Sequence, residues 1–337
     1  MTLDWLTLAE WTLKSLILIV LLITGFAFLT LFERRVLARM QVRIGPNRAG
    51  PFGILQPVAD GVKLIFKEEL IPDKADKVVF VLAPVITLIP ALIILAVIPF
   101  GPTVQIGGRE VAMGIADDLD VGVLYIMAVA SVAVYGIALA GWSSNNKYAL
   151  LGGLRSSAQM VSYEIALGLS FIGPILLANS MSMRTIVESQ QGWWFILVQP
   201  IGFLIFVIAT VAEVNRAPFD MPEAEQELAA GYHVEYSGMK FALMFMAEYD
   251  KMIAVAAIGA SLFLGGYWGP WVDQVPLLGP LYLFLKVMAI LFLMIWMRAT
   301  LPRLRYDRLM AFGWKVMLPL ALVNVVFTAG LVLVIGG

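Results

Sequence analysis

Long apolar runs separated by short charged segments dominate this chain. Eight stretches, near residues 11–32, 78–100, 121–141, 158–180, 193–213, 239–266, 278–298 and 312–336, are apolar enough to predict spanning helices. A helix needs about 20 mostly apolar residues to cross the hydrocarbon of a bilayer. The stretch 78–100 has no charge but carries Pro84, Pro90 and Pro99, so a kink is expected there. The first stretch does not read as a cleaved leader. Asp4 and Glu10 precede it, Lys14 is the lone early base, and no small-residue cleavage site follows.

Charge placement then orients the spans. Segment 33–77 holds Arg34, Arg35, Arg39, Arg43, Arg48, Lys63, Lys67, Lys74 and Lys77. The third, fifth and seventh connections add Lys147 and Arg155, Arg216 and Lys240, and Arg298, Arg303, Arg305 and Arg308. The opposite connections carry only Arg109 and Arg184. Bases accumulate on the cytoplasmic side, so the pattern predicts both termini outside and the odd connections inside. The expected fold is an all-α integral membrane protein of about eight spans. It forms one polytopic domain over 1–337, with large cytoplasmic loops near 33–77 and 214–240. No internal repeat is visible, which disfavours an inverted-repeat transporter.

Composition narrows the chemistry. Of 337 residues 61% are hydrophobic and 14% charged, too few polar side chains to coat a soluble enzyme. A net charge of −1 gives no basic surface for nucleic acid. The absence of cysteine excludes disulfides and Cys-ligated zinc or iron–sulfur clusters. His233 is the single histidine, which argues against haem or a multi-histidine metal site. No Walker loop, nucleotide-binding glycine motif or nucleophile elbow occurs, and Gly152-Gly153 reads as loop.

Both large loops have character. From Pro57 the sequence predicts an amphipathic helix, with Val58, Val62, Ile65 and Phe66 on one face and Asp60, Lys63 and Lys67 on another. It suits a membrane interface, or the floor of a lipid-accessible pocket. Loop 214–240 is acidic: Asp220, Glu223, Glu225, Glu227 and Glu235 stand against Arg216 and Lys240. Glu223 and Glu227 share a helical face, and like charges that close couple their titrations. A solvated acidic loop and a proton-handling vestibule both fit this run.

Ionisable residues inside spans are the sharpest signal, since each costs roughly 2.5–3.5 kcal/mol at mid-membrane. Glu164 lies about 13 Å along its helix from Arg155, Glu248 lies about 12 Å from Lys240, and Glu213 ends the fifth span on the same side. Three carboxylates from three helices then share the cytoplasmic half. Asp250, Lys251 and Lys286 lie deeper, with Lys286 expected near the depth of Lys251. Glu248 and Lys251, three apart, are placed to pair. A structural ion-pair network and a proton relay remain equal readings of these groups.

Specific strings carry a resemblance. The run Glu33-Arg34-Arg35-Val36-Leu37-Ala38-Arg39-Met40-Gln41-Val42-Arg43-Ile44-Gly45-Pro46-Asn47-Arg48 closely resembles the first loop of the quinone-site membrane subunit of respiratory complex I. That family takes in NADH dehydrogenase subunit one of mitochondria and its bacterial counterparts. The likeness continues through Gln56–Leu64, Leu154–Glu164, Glu213–Glu225, Val234–Tyr236, Ala247–Tyr249 and Arg298–Asp307. Val214 departs from it, standing where threonine is expected.

The resemblance implies a membrane subunit of a proton-translocating NADH:quinone oxidoreductase in the bacterial inner membrane or an equivalent energy-transducing membrane. It implies peripheral partners that share a quinone chamber and carry the terminal iron–sulfur cluster, with antiporter-like membrane subunits beyond. Quinone would be substrate at that shared site, and this chain would hold no flavin, haem, cluster or metal. Glu33, Arg34, Arg35, Asp60, Lys63 and Arg298 would line the chamber or its entrance. Glu164, Glu213, Glu248, Asp220, Glu223, Glu225, Glu227 and Glu235 would couple quinone chemistry to protons. Arg298 and Arg305 would balance the acids. Rival readings are the membrane anchor of a hydrogenase or ferredoxin-driven complex, a stand-alone proton-coupled transporter, and an anchor whose acids only dock partners.

Overall fold

A computed structural model describes residues 5–106, 109–220 and 231–335. Helix α1 spans Trp5–Met40, followed by a 3-10 turn at Pro51–Gly53 and the short helix α2, Gln56–Ile65. Helix α3, Lys77–Ile93, tightens after Pro90 into a 3-10 turn at Ile94–Val97. A two-stranded antiparallel ribbon follows, β1 Val104–Ile106 and β2 Arg109–Val111. Then come α4 Gly122–Ser143, α5 Lys147–Ala178, α6 Met183–Glu188, α7 Phe195–Val198 and α8 Pro200–Glu213. The chain ends with α9 Gly238–Phe263, α10 Leu278–Thr300, α11 Tyr306–Phe312, a π-helical stretch Gly313–Met317, and α12 Leu318–Ile335.

Among the described residues, six helical segments are long and apolar enough to cross a membrane: Thr7–Met40, Lys77–Val97, Gly122–Ser143, Lys147–Ala178, Leu278–Thr300 and Tyr306–Val334. The other two predicted spans are helical but different in kind. Helix α8 has only 14 residues. Helix α9 has 26 but carries Lys240, Glu248, Asp250 and Lys251.

Several boundaries differ from the sequence expectation. The first helix does not stop at residue 32. No glycine or proline interrupts the chain between Gly25 and Gly45, so Glu33, Arg34 and Arg35 ride on α1 instead of in a loop. Helix α5 begins eleven residues before the predicted 158, because the Asn146 side chain accepts from the Tyr148 N–H and caps it at Lys147. Gly152 and Gly153 are therefore helical. The latter lets α4 and α5 meet closely, since a Cβ there would sit 3.2 Å from the Gly141 Cα. The fifth span is broken at Gln199, with Pro200 opening α8, where its missing N–H costs nothing.

Helix α9 packs on α1, α3 and α10, while α5 packs on α4, α8 and α12. The main core runs between these groups. A smaller one gathers around Phe80 and Tyr236, whose rings stack 4.1 Å apart. The apolar face of α2 is not covered: Val58, Val62, Ile65 and Phe66 are exposed, as an interfacial helix requires.

Candidate functional site

The predicted acids are held by cations from other elements. Glu33 on α1 is buried, at 3% exposure, and forms the centre of a four-element knot. Arg298 from the last turns of α10 donates to its Oε1. The Tyr249 hydroxyl, from α9, donates to its Oε2 at 2.7 Å. Arg216, in the segment after α8, places Nη1 3.7 Å from Glu33 and Nε 2.7 Å from Glu248. The Arg216 guanidinium also lies 4.3 Å from the Tyr249 ring centre. Burial of this kind is tolerated only when each charge meets a partner.

Glu248 and Lys251 do not pair with each other, as their spacing suggested. Glu248 turns to Arg216, and Lys251 reaches α8, where its ammonium sits 2.8 Å from Glu213 Oε1. Tertiary partners with better geometry outcompete the exposed-helix pairing, which is worth only about 0.2–0.5 kcal/mol. Glu164 on α5 accepts from the Ser131 hydroxyl of α4. Glu164, Glu213, Glu248 and Lys251 line one cavity of about 60 Å³. At roughly 10–15 Å³ per water, that admits about four molecules.

The rest of the predicted set is spread over the same end of the bundle. Asp60 on α2 pairs with Arg34 on α1 at 2.7 Å, with Lys63 at 3.7 Å, and accepts from Gln56 at 3.1 Å. That knot ties the amphipathic helix to the first span. Arg35 donates to the Phe52 carbonyl. Asp220 pairs with Arg303 at 3.1 Å, and Glu235 accepts from Asn146 at 2.7 Å. Lys240 pairs with Glu69, joining the two large loops. Burial pushes the nearby Tyr236 phenol up to about 12, so it stays a donor, to the Phe80 carbonyl. Glu223, Glu225 and Glu227 lie outside the described residues. Among those described, no three His, Asp or Glu side chains gather as a metal-ligand set.

Two expectations are corrected. Lys286 is not level with Lys251. Its ammonium donates to the carbonyls of Gly266 at 2.8 Å and Trp268 at 2.6 Å, beyond the far end of α9, and lies 5.0 Å from the Trp194 ring. A long flexible stem lets lysine reach exposed carbonyls at a helix end. Arg305 does not balance the buried acids, because it pairs locally with Asp307 at 3.0 Å on the surface. Asp250 enters no described ion pair: it is fully buried and neither carboxyl oxygen has a hydrogen-bond partner among the described residues.

Arg216 and Tyr249 are not singled out by the sequence pattern, yet they join Glu33 to Glu248. Counting bases for orientation treats Arg216 as one more cytoplasmic charge. Its position between Glu213 and Asp220, in an apolar context of Val214, Ala217 and Phe219, is the available sign of burial.

A sequence profile of the family described as NADH dehydrogenase matches residues 13–329. An H subunit of NADH-quinone oxidoreductase from Geobacter metallireducens, the one numbered 2, is 53% identical over 327 residues, covering 94% of this chain and 93% of that protein. The NADH-quinone oxidoreductase H subunit of Thermomicrobium roseum is 51% identical over 335 residues, 96% of each chain. That of Protochlamydia amoebophila is 52% identical over 311 residues, 92% of this chain and 94% of that one.

Proposed function

The chain belongs to the NADH dehydrogenase family of NADH-quinone oxidoreductase H subunits, and from that premise we propose how it works. It is an integral membrane subunit of the oxidoreductase complex and holds no complete active site alone. Its eight helical segments cross a bacterial inner membrane or an equivalent energy-transducing membrane, with both termini outside. The end of the bundle carrying Glu33, Asp60 and Asp220 faces peripheral subunits and forms a quinone chamber with them. Those partners deliver the electrons from an iron–sulfur cluster. Antiporter-like subunits adjoin the membrane face. The relatives are named for quinone chemistry, so a hydrogenase anchor or a lone transporter gains no support.

Reduction of a quinone takes two electrons and two protons to give the hydroquinone. In this reading Arg34, Arg35, Asp60 and Lys63 frame the entry for a lipid-borne quinone, and Glu33 with Arg298 forms the chamber's inner wall. The acids of loop 214–240, Asp220, Glu223, Glu225, Glu227 and Glu235, respond to the redox change at the headgroup. Glu213, Glu248 and Glu164 then carry the change into the membrane as protonation steps. The observation that supports this most is the shared cavity: three acids from α5, α8 and α9 with Lys251, around room for water.

The test uses membranes carrying Glu213→Gln or Glu248→Gln in fully assembled complex. Quinone reduction and proton pumping are recorded beside NADH oxidation by an artificial acceptor that bypasses quinone. Loss of the first two with the third intact is the expected result. Normal rates throughout would make the acids structural and refute the coupling role.

A further inference from the structure

The acid-lined cavity is closed on one side by phenylalanine. Phe206 of α8 sits at its end, fully buried, with Phe263 of α9 centred 5.4 Å away and Phe171 of α5 at 6.0 Å. Phe203, one turn earlier on α8, lies 5.5 Å from Phe263 and 6.4 Å from Phe206. Three helices thus contribute rings to one apolar cluster. The backbone makes room for it: a Cβ on Gly259 would stand 2.4 Å from the Phe206 ring.

Polar groups resume beyond the rings. Gln199, at the break before α8, donates to the Thr328 hydroxyl at 2.5 Å. Gln199 Oε1 and Asn324 Nδ2 are both buried without a hydrogen-bond partner among the described residues. Both flank one spot beside Gly202, 2.9 Å and 3.2 Å from where its Cβ would be. An orphan acceptor and an orphan donor around one point match the demands of a bridging water. Polar groups therefore stand on both sides of the rings. The cavity reaches Phe206, and the rings continue along α8 to Phe203, about 4.5 Å further. Over that length the rings offer no proton acceptor, and water there would lose its hydrogen bonds.

We propose that Phe171, Phe203, Phe206 and Phe263 form a dry plug that closes the acid-lined cavity toward the Gln199 end of the bundle, so that the cavity exchanges protons from one side only. This rests on the proton-handling reading above. A cavity open at both ends would short-circuit the gradient that the complex builds. With the plug in place, a proton reaching Glu213 or Glu248 leaves sideways or returns, and does not drain through this chain.

The test is passive proton flux into vesicles reconstituted with the intact complex, without NADH, under an imposed pH gradient. Phe206→Ala and Phe203→Ala each open space where water can thread. Each is expected to raise the flux at least about tenfold, whereas Phe206→Leu keeps the seal. Adding Glu213→Gln to Phe206→Ala should return the flux toward the unmodified level. A leak that persists in that double variant would overturn the proposal, because the water would bypass the cavity. So would unchanged flux in both alanine variants, even where Glu213→Gln alone still abolishes pumping. If Glu213→Gln alone leaves pumping intact, the coupling reading fails instead. Should Phe206→Ala block assembly, Phe203→Ala decides the question.

Discussion

Arg216→Met is the sharpest probe of the buried charge knot. Methionine keeps much of the arginine stem's apolar volume and deletes the guanidinium that joins Glu248 to Glu33. Glu33 retains Arg298 and the Tyr249 hydroxyl, so Glu248 is the carboxylate that loses its 2.7 Å ion pair. Breaking a buried pair by removing one partner costs about 3–5 kcal/mol, and Glu248 is slightly exposed, which favours the lower end. Loss of the contact with the Tyr249 ring adds about 1 kcal/mol. A total near 4 kcal/mol is large beside a typical net stability of about 5–15 kcal/mol. The assay is the half-life of quinone reductase activity in membranes at a fixed elevated temperature. If the whole loss precedes the inactivating step, the half-life falls by up to about a thousandfold. Adding Glu248→Gln removes the charge that Arg216 balances and should recover most of it. Arg216→Lys should fall between, since an ammonium cannot address two carboxylates as a planar fork does. A half-life within threefold of the unmodified complex for Arg216→Met would refute the reasoning.

Other outcomes follow from single contacts. Gly53 has φ +75 and its Cβ position lies 2.3 Å from the Pro46 carbonyl oxygen, so Gly53→Ala should strain the basic turn by at least about 1–2 kcal/mol and speed proteolysis at Arg48. Gly152→Val would drive a side chain into the Gly231 backbone, 2.6 Å from the Cβ position, and should lower the yield of assembled complex on native gels. Burial, opposed by Arg184, raises the Asp117 carboxyl above its usual 3.8. The folded state then holds more protons than the unfolded one, so stability should fall as pH rises from about 4, and Asp117→Asn should flatten that slope in thermal inactivation.

Much of this architecture was legible because spans announce themselves. A run such as 78–100 leaves few alternatives, and Asp76 capping Val78 and Val79 lies where the pattern begins. Rise per residue alone brings Glu164 and Glu248 to similar depth and Glu213 to the same half of the membrane, and one cavity joins all three. What sequence could not supply was pairing. Spacing along α9 suggested Glu248 with Lys251, but partners three residues apart compete with partners on other helices, and nothing local ranks them. Lys286 departs from its expected depth for a related reason: residue spacing places the backbone, while the ammonium acts several ångströms away. The break at Gln199 was masked because residues 193–213 are continuously apolar although the helix is not.

The pairings have a consequence for coupling. Along Arg298, Glu33, Arg216 and Glu248, acids and bases alternate, and they come from α10, α1, the segment after α8, and α9. Lys251, one turn beyond Glu248 on α9, passes to Glu213 at the end of α8. The segment carrying Arg216 begins directly after Glu213, so α8 and that segment hold one member of each pair. A shift of this segment, relative to α9, strains both pairs together. Each carboxylate left without its cation would cost several kcal/mol while charged, and uptake of a proton removes that cost. Movement of the segment leading into loop 214–240 would therefore bear on both buried pairs at once. Arg216 stands between Glu33 and Glu248, which keeps these two acids from simply repelling one another at rest. Glu164 is the exception, since it accepts from Ser131 and enters no described ion pair.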